Sequence, residues 1–120
     1  MGFREHLQSI CKSCEGVIAC SLMGVDGIEV DTHVDGGVDG VDVKPLLIEY
    51  SGLFRSAREA AELNGAGAIS ELFVETEKVL TVARMVSPEY YMVVALSPGG
   101  NLGKARFLMR VTAPKLKAEL

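Results

Sequence analysis

The sequence has no tryptophan, two histidines, and aromatic residues that make up 6% of its 120 positions. Histidine is the side chain most often used for acid–base catalysis and metal binding near neutral pH, so the usual catalytic groups are scarce. No apolar run reaches the length that crosses a bilayer, so the sequence offers no membrane span. The amino terminus lacks the basic-then-apolar layout of a signal peptide, and we therefore expect a cytoplasmic protein.

Acidic residues outnumber basic ones by 16 to 12, which gives a formal net charge of −4. This balance disfavours a dedicated nucleic-acid binder, because such proteins carry a concentrated basic surface. The one local excess of cations runs from Lys104 to Lys117, where the charges are spaced along a predicted helix. Hydrophobic residues make up 48% and charged residues 23%, which is typical of a globular chain. The length fits one domain over residues 1–120.

The first half of the chain reads as a helix, two strands and a second helix. Apolar residues recur at helical spacing from Phe3 to Cys14, and Gly16 follows as a helix terminator. A continuous apolar run over 17–23 predicts a buried strand. Asp26-Gly27 then predicts a tight hairpin turn with positive φ at both central positions, and the alternation after it predicts a half-exposed edge strand.

The second helix is followed by three predicted strands and a last helix. The second helix is long, has Pro45 in its first turn and runs to Asn64-Gly65. Strands follow at about 68–76, 79–86 and 90–97, and the last is too apolar for a sheet edge. Pro114 is expected to kink or split the final helix. Short hairpin links make the sheet antiparallel with helices covering its faces, so the fold class is α+β.

Three motifs suggest chemistry, but each departs from the pattern that the chemistry needs. Cys11 and Cys14 form a C-x-x-C pair near a helix end, without the further ligands of a zinc site, so buried core cysteines are the favoured interpretation. Residues 98–105 resemble a phosphate-binding loop, yet Pro98 and Ala105 replace the required glycine and Ser or Thr. The acidic segment 35–42 lacks EF-hand spacing. We therefore predict no catalytic residue, metal site or cofactor.

The second helix carries apolar residues over a wide arc, with a row of small side chains beside it at Gly52, Ser56 and Ala60. Such a row allows another helix to approach closely. Two interpretations stay open: a helix that packs only on its own sheet, or one that is also covered by a partner. Phe73, between Glu71 and Glu75 in the third strand, lies either under a helix or on an exposed edge.

The order of these features resembles the Roadblock/dynein-light-chain domain family over nearly the whole chain. The resemblance lies in the first helix before Gly16-Val17, the hairpin Val25-Asp-Gly-Ile28 and the long second helix. Its most specific part is the closing run, in which the strand Tyr91–Leu96 is followed by Asn101-Leu102-Gly103 and then Ala105-Arg106 at the start of the last helix. The glycine- and aspartate-rich segment 35–42 and Pro114 depart from the family.

The resemblance implies a five-stranded antiparallel sheet in a Roadblock/profilin-like sandwich, with the second helix on one face and the terminal helices on the other. It also implies a non-enzymatic homodimer that binds a small Ras-like GTPase and modulates its nucleotide cycle or localisation. The dimer interface then falls on the second helix and the third strand, at Gly52, Ser56, Glu59, Ala60, Glu71, Phe73 and Glu75. The GTPase contacts are assigned to the charged side of the second helix, at Ile48, Arg55, Arg58 and Glu62.

Two other function classes remain as alternatives. A small-ligand sensor of profilin-like fold would need an enclosed pocket between sheet and helix, lined by Tyr50, Phe54 and Tyr91. A redox or metal protein would use Cys11 and Cys14.

Overall fold

The computed structural model describes residues 2–120, and over that range eight elements occur in the predicted order. The five strands form one antiparallel sheet with the order β2-β1-β5-β4-β3. The predicted α+β architecture is therefore confirmed. The elements are α1 (Phe3–Ser13), β1 (Val17–Gly24), β2 (Glu29–Val34), α2 (Val43–Leu63), β3 (Glu71–Glu75), β4 (Leu80–Ser87), β5 (Tyr90–Leu96) and α3 (Leu102–Ala118).

Two apolar cores lie on opposite faces of this sheet. The core under α1 and α3 includes Leu7 and Met109, and the core under α2 includes Leu47 and Phe54. Strand β1 is buried along its whole length, as is β5 after Tyr90, because their alternate side chains enter the two cores. The central place predicted for the last strand is confirmed, and β2 and β3 are the two edge strands.

The β1–β2 hairpin is present, but its turn differs from the predicted one. Gly27 has a φ of +91°, and no residue other than glycine has a positive φ among those described. The amide of Gly24 donates to the carbonyl of Ile28 at 2.8 Å, and the amide of Gly27 donates back to Gly24 at 2.9 Å. The connection is thus a three-residue loop with one left-handed glycine, which spares Asp26 the steric cost of positive φ.

Gly16 lies where the chain leaves α1 and enters β1, and its backbone meets the β5–α3 connection. Its φ is +90°, and a Cβ placed on it would come within 2.3 Å of the Cα of Gly100. The amide of Ser97 donates to the Gly16 carbonyl at 2.8 Å. This close approach of two glycine backbones brings α1 and the start of α3 together on the same face of the sheet.

The final helix is not split. Helix α3 runs through Pro114 as one element, so the split that was one of the two predicted outcomes does not occur. Pro114 is exposed, and the carbonyl of Arg110 that loses its helical donor belongs to an exposed residue that water can reach. At the other end of α3, Asn101 is the N-cap, and its side chain accepts a hydrogen bond from the Lys104 amide at 3.0 Å.

Candidate functional site

The α2 outer face is the side of that helix turned away from the sheet. The side chains that α2 buries against the sheet are Val43, Leu47, Ser51 and Phe54. At about 100° per residue, the opposite side carries the predicted row of small side chains together with Glu59. Ser56, Glu59 and Ala60 are exposed, and Gly52 is half-buried. We use the name α2 outer face for Gly52, Leu53, Ser56, Glu59, Ala60 and Leu63.

Gly52 is not required by the fold of its own chain. It has a helical backbone with no positive φ, and a Cβ placed there would meet only the guanidinium of Arg55, at 3.9 Å. A glycine inside a helix costs about 0.5–1 kcal/mol relative to alanine. Nothing within the described residues explains this cost.

Two large apolar residues on the α2 outer face were not predicted to be exposed. Leu53 is 47% exposed, and Leu63 is 84% exposed. Leu63 lies seven residues after Ser56 and shares its side of the helix. The sequence signal was available, because Leu53 comes seven residues before Ala60 and Leu63 comes seven residues after Ser56. The α2 outer face is consequently more apolar than the sequence analysis predicted.

The β3 edge lies across the sheet from β2, and two of its side chains on the α3 face, Glu71 and Phe73, have partners within the chain. The Nε of Arg106 is 2.7 Å from Oε1 of Glu71, and the Nη1 of Arg84 is 3.4 Å from Oε2 of the same carboxylate. The Arg106 guanidinium also lies over the Phe73 ring, 5.0 Å from its centroid. Both open interpretations of Phe73 therefore hold, since it lies under a helix and also on an edge strand.

The backbone of β3 is unpaired on its outer side. At the ends of the β3–β4 ladder, Met85 N–H donates to the Ser70 carbonyl and Thr76 N–H donates to the Val79 carbonyl, each at 3.0 Å. Hydrogen-bonded positions alternate along an antiparallel strand, so the even-numbered residues bond to β4. The N–H and C=O groups of Glu71, Phe73 and Glu75 therefore point away from the sheet. These are the three β3 residues assigned to the interface from the resemblance.

The residues predicted to contact a GTPase lie beside the β1–β2 hairpin. Arg55, Arg58 and Glu62 line a shallow surface pocket of about 260 Å³ together with Glu59 and Val25 of the hairpin. Arg58 Nε is 3.5 Å from Glu62 Oε1, and the Arg55 guanidinium lies over Gly27, where an added Cβ would come within 3.1 Å of it. Ile48 is 45% exposed and does not line this pocket.

The ligand pocket that a sensor would need is filled. Phe54 and Tyr91 are 0% and 1% exposed, and their rings stack with centroids 4.5 Å apart. The two rings occupy the space between them themselves, so the enclosed cavity that the sensor alternative required is not formed there. Tyr50 instead borders an open surface pocket of about 410 Å³ beside Lys78 and the segment 40–42.

The three cysteines are core residues, as predicted. Cys11, Cys14 and Cys20 are all buried and none is in a disulfide. Burial raises the pKa of the Cys11 thiol from 9.0 to about 11, with a smaller contribution from Asp35. The Cys14 thiol donates to the carbonyl of Asn101 at 3.3 Å. Within the described range no group of three or more His, Cys, Asp or Glu side chains is arranged to hold a metal ion.

The acidic segment 35–42 is on the surface. Its residues Asp35, Asp39 and Asp42 are exposed, and the Lys78 side chain donates a hydrogen bond to the Asp39 carbonyl at 3.3 Å.

None of the helices described over residues 2–120 combines the length and apolar character needed to cross a bilayer.

Comparison with solved structures places this geometry in a family. The chain is 49% identical to MglC from Myxococcus xanthus, with all of both chains covered and a TM-score of 0.73. It is 15% identical to a Roadblock/LC7 domain from Streptomyces avermitilis, which covers 98% of this chain and 97% of that one at a TM-score of 0.82. MglB from M. xanthus is 16% identical, with 98% and 96% covered and a TM-score of 0.79. No family model and no curated protein matches the sequence.

The chain belongs to the Roadblock/LC7 family. It is similar to MglC in sequence as well as in fold, since the identity to that protein extends over the full length of both chains. The likenesses to MglB and to the Streptomyces domain show the shared fold. The resemblance noted in the sequence is therefore confirmed.

Proposed function

We propose that the protein is a homodimeric, non-catalytic Roadblock-family regulator that acts in the cytoplasm and binds a small Ras-like GTPase. The observation that carries this proposal is the open α2 outer face beside an unpaired β3 edge, in a chain of this family. An apolar helix face and a free strand edge are both surfaces that soluble proteins normally cover. A second copy of the chain would cover both at once.

In the proposed dimer, the two α2 helices lie side by side about a two-fold axis. Gly52, Ser56 and Ala60 let the helix backbones approach closely, and Leu53 and Leu63 supply the apolar area. An interface of this kind is self-complementary, so each residue meets the same surface on its partner. Gly52 then has a role in the dimer that it lacks in the single chain, because any larger side chain there would hold the two helices apart.

The β3 edges would pair across the same axis into a continuous sheet. With the axis at Phe73, the outward backbone groups of Glu71 would meet those of Glu75 of the partner subunit. Two carboxylates directly opposite each other repel. Arg106 and Arg84, at 2.7 and 3.4 Å from Glu71, supply the charge that offsets this repulsion. The ion pairs behind β3 therefore favour the pairing.

The GTPase would bind on the side of α2 next to the hairpin, where Ile48, Arg55, Arg58 and Glu62 lie. The chain would favour one conformation of the GTPase switch segments. A protein that binds one of two conformations more tightly increases the population of that conformation. Arg58 is paired with Glu62 and Arg55 lies over Gly27, so both guanidinium groups already have positions within the chain. We therefore propose that both arginines contribute to the affinity and orientation of the bound GTPase and do not contact the phosphate that is transferred.

The test measures binding and GTP hydrolysis with purified small Ras-like GTPases encoded near this chain's gene, in both nucleotide states. We expect binding to at least one of them that differs between the states. Replacing Arg55 and Arg58 together with alanine should weaken binding at least about fivefold. It should change the hydrolysis rate at saturation by less than about tenfold, whereas an arginine finger supplies about 10³ to 10⁵.

Lys12→Ala is the matched control, since Lys12 is an exposed cation on α1, on the sheet face away from α2, and its loss should leave GTPase binding unchanged. Absence of binding to every such GTPase in both nucleotide states would overturn the proposed function.

A further inference from the structure

The outer side of α3 carries an apolar stripe that neither the fold nor the proposed function uses. The residues that α3 buries are Ala105, Met109, Thr112, Ala113 and Leu116. At about 100° per residue, the side directly opposite holds four apolar residues, which we call the α3 stripe: Phe107, Val111, Pro114 and Ala118. Phe107 is 59% and Val111 42% exposed, and the other two are also exposed. Helix α3 is therefore apolar on two opposite sides.

Cations border the α3 stripe on both flanks. On the same helical wheel, Arg110 and Lys117 lie on one side of the stripe and Lys104 and Lys115 on the other. All four are exposed, and none makes an ion pair with another described residue. Arg106, the fifth cation of α3, lies closer to the sheet and is paired with Glu71. The stripe is thus an apolar strip between two uncompensated rows of positive charge.

This charge is local to α3. The helix holds five basic residues and no acidic one, whereas the chain as a whole has 16 acidic residues and a net charge of −4. Two such helices would repel each other, so the stripe does not suit pairing with the α3 helix of a second copy. An occupant that complements it has an apolar seam with acidic residues along both borders.

We propose that the α3 stripe is a docking site for an acidic amphipathic helix of a partner protein. Its length from Phe107 to Ala118 is roughly 16 Å, about three helical turns, which matches a short helix laid along it. An apolar centre with a charged rim is the usual anatomy of a protein–protein contact, and flanking opposite charges fix the orientation of paired helices. The site is on the sheet face away from α2, so it is compatible with the proposed dimer and GTPase contacts but does not depend on them.

An anionic membrane surface is the competing occupant. Helices that lie in a bilayer interface bring several large apolar residues to it, and their apolar face is buried well below the headgroups. The α3 stripe has two large apolar residues, Phe107 and Val111, and the opposite side of the helix is fixed to the sheet. The observations therefore favour a protein helix.

The test titrates the ¹⁵N-labelled full chain with a hydrocarbon-stapled helical peptide of about 18 residues, which has a leucine seam bordered by glutamates. Saturable binding is expected, with the largest amide shifts on α3 around Phe107 and Val111. Phe107→Ala should weaken binding at least about tenfold. Reversing two flanking charges with R110E and K115E should abolish it and create affinity for the same peptide with lysines in place of the glutamates.

Ile28→Ala, which shortens an exposed apolar side chain on the hairpin, is the matched control and should bind as the unchanged chain does. The variants change exposed positions, and thermal unfolding checks that they are folded. Absence of binding, equal binding of the lysine peptide, or binding unaffected by Phe107→Ala would overturn the proposal. The proposal would also be overturned if the chain bound vesicles with about 30% phosphatidylserine, if this binding depended on Phe107, and if the acidic peptide did not bind.

Discussion

At the scale of single residues, the two glycines at positions 16 and 52 serve different purposes. Gly16 combines a φ of +90° with the contact to Gly100, so its own chain requires it. Gly52 has ordinary helical geometry and open space around it, so its own chain does not. The sequence marks both simply as glycine. What distinguishes them is the distance to residues far along the chain, which depends on the assembled fold.

The requirement at Gly16 gives a stability prediction. Gly16→Ala should lower the free energy of unfolding by at least about 2 kcal/mol, because the new Cβ is strained at positive φ and clashes with the Gly100 backbone. Gly37→Ala is the matched control, since Gly37 has no positive φ and nothing lies within 4 Å of an added Cβ. Urea unfolding of both variants measures the difference. A Gly16→Ala protein as stable as the control would contradict the close approach described here.

Other residue contacts could not be read from the sequence for the same reason. Phe54 and Tyr91 stack across 37 positions, and Arg106 meets Glu71 across 35. Each residue was placed on the correct element, yet which side chain fills the space beneath α2 depends on how that helix crosses the sheet. The sensor alternative depended on this point, and the two aromatic residues that could line a cavity fill it instead.

At the scale of elements, local patterning predicted the order, type and approximate bounds of all eight. The alternation after Gly27 identified an edge strand, and the apolar run ending at Leu96 identified the central one. The two errors concern backbone details that periodicity does not encode, namely the number of residues in the hairpin loop and the tolerance of α3 for Pro114. A proline on the exposed side of a helix costs less than one whose freed carbonyl is buried.

The packing of α1 on the sheet predicts a loss of stability in alkali. Burial raises the pKa of the thiols of Cys11, Cys14 and Cys20, that of Cys11 from 9.0 to about 11. Below pH 9 these thiols are protonated in both the folded and the unfolded chain, and their full contribution to the free energy of unfolding is present. Between pH 9 and about 11 the unfolded chain releases protons that the folded chain retains, so the free energy of unfolding falls as the pH rises.

Unfolding in urea at a series of pH values from 8 to 11 measures this loss. Cys11→Ala should flatten the decline without removing it, because Cys14 and Cys20 still titrate. The slope against pH is the readout, so any constant cost of the core substitution does not affect it. An unchanged slope would mean that the Cys11 thiolate is accommodated in the folded chain.

At the scale of the whole molecule, the domain presents separate surfaces on the two faces of one sheet. The α2 outer face and the β3 edge carry the proposed dimer, the hairpin side of α2 carries the proposed GTPase contact, and the α3 stripe lies on the opposite face. The sequence suggested the first through the row of small residues. It showed the cations of α3 but not that they border an exposed apolar stripe, because that required knowing which side of α3 is buried.

The proposed interface rests on Gly52, where a side chain is tolerated by the single chain but not by a close helix partner. Replacing Gly52 with tryptophan should therefore weaken the dimer more than the fold. Gly37→Trp, on an exposed loop with open space around it, adds the same side chain away from the interface. Thermal unfolding should show both variants folded, and the Gly37 variant should remain dimeric.

The most direct measurement is the molar mass of the full chain by light scattering after gel filtration, over a range of loading concentrations. We expect about 25.6 kDa, twice the 12.8 kDa of one chain, and a mass that falls towards that of the single chain for Gly52→Trp. A mass of 12.8 kDa at every concentration for the unchanged protein would mean that the α2 outer face and the β3 edge do not form a dimer interface.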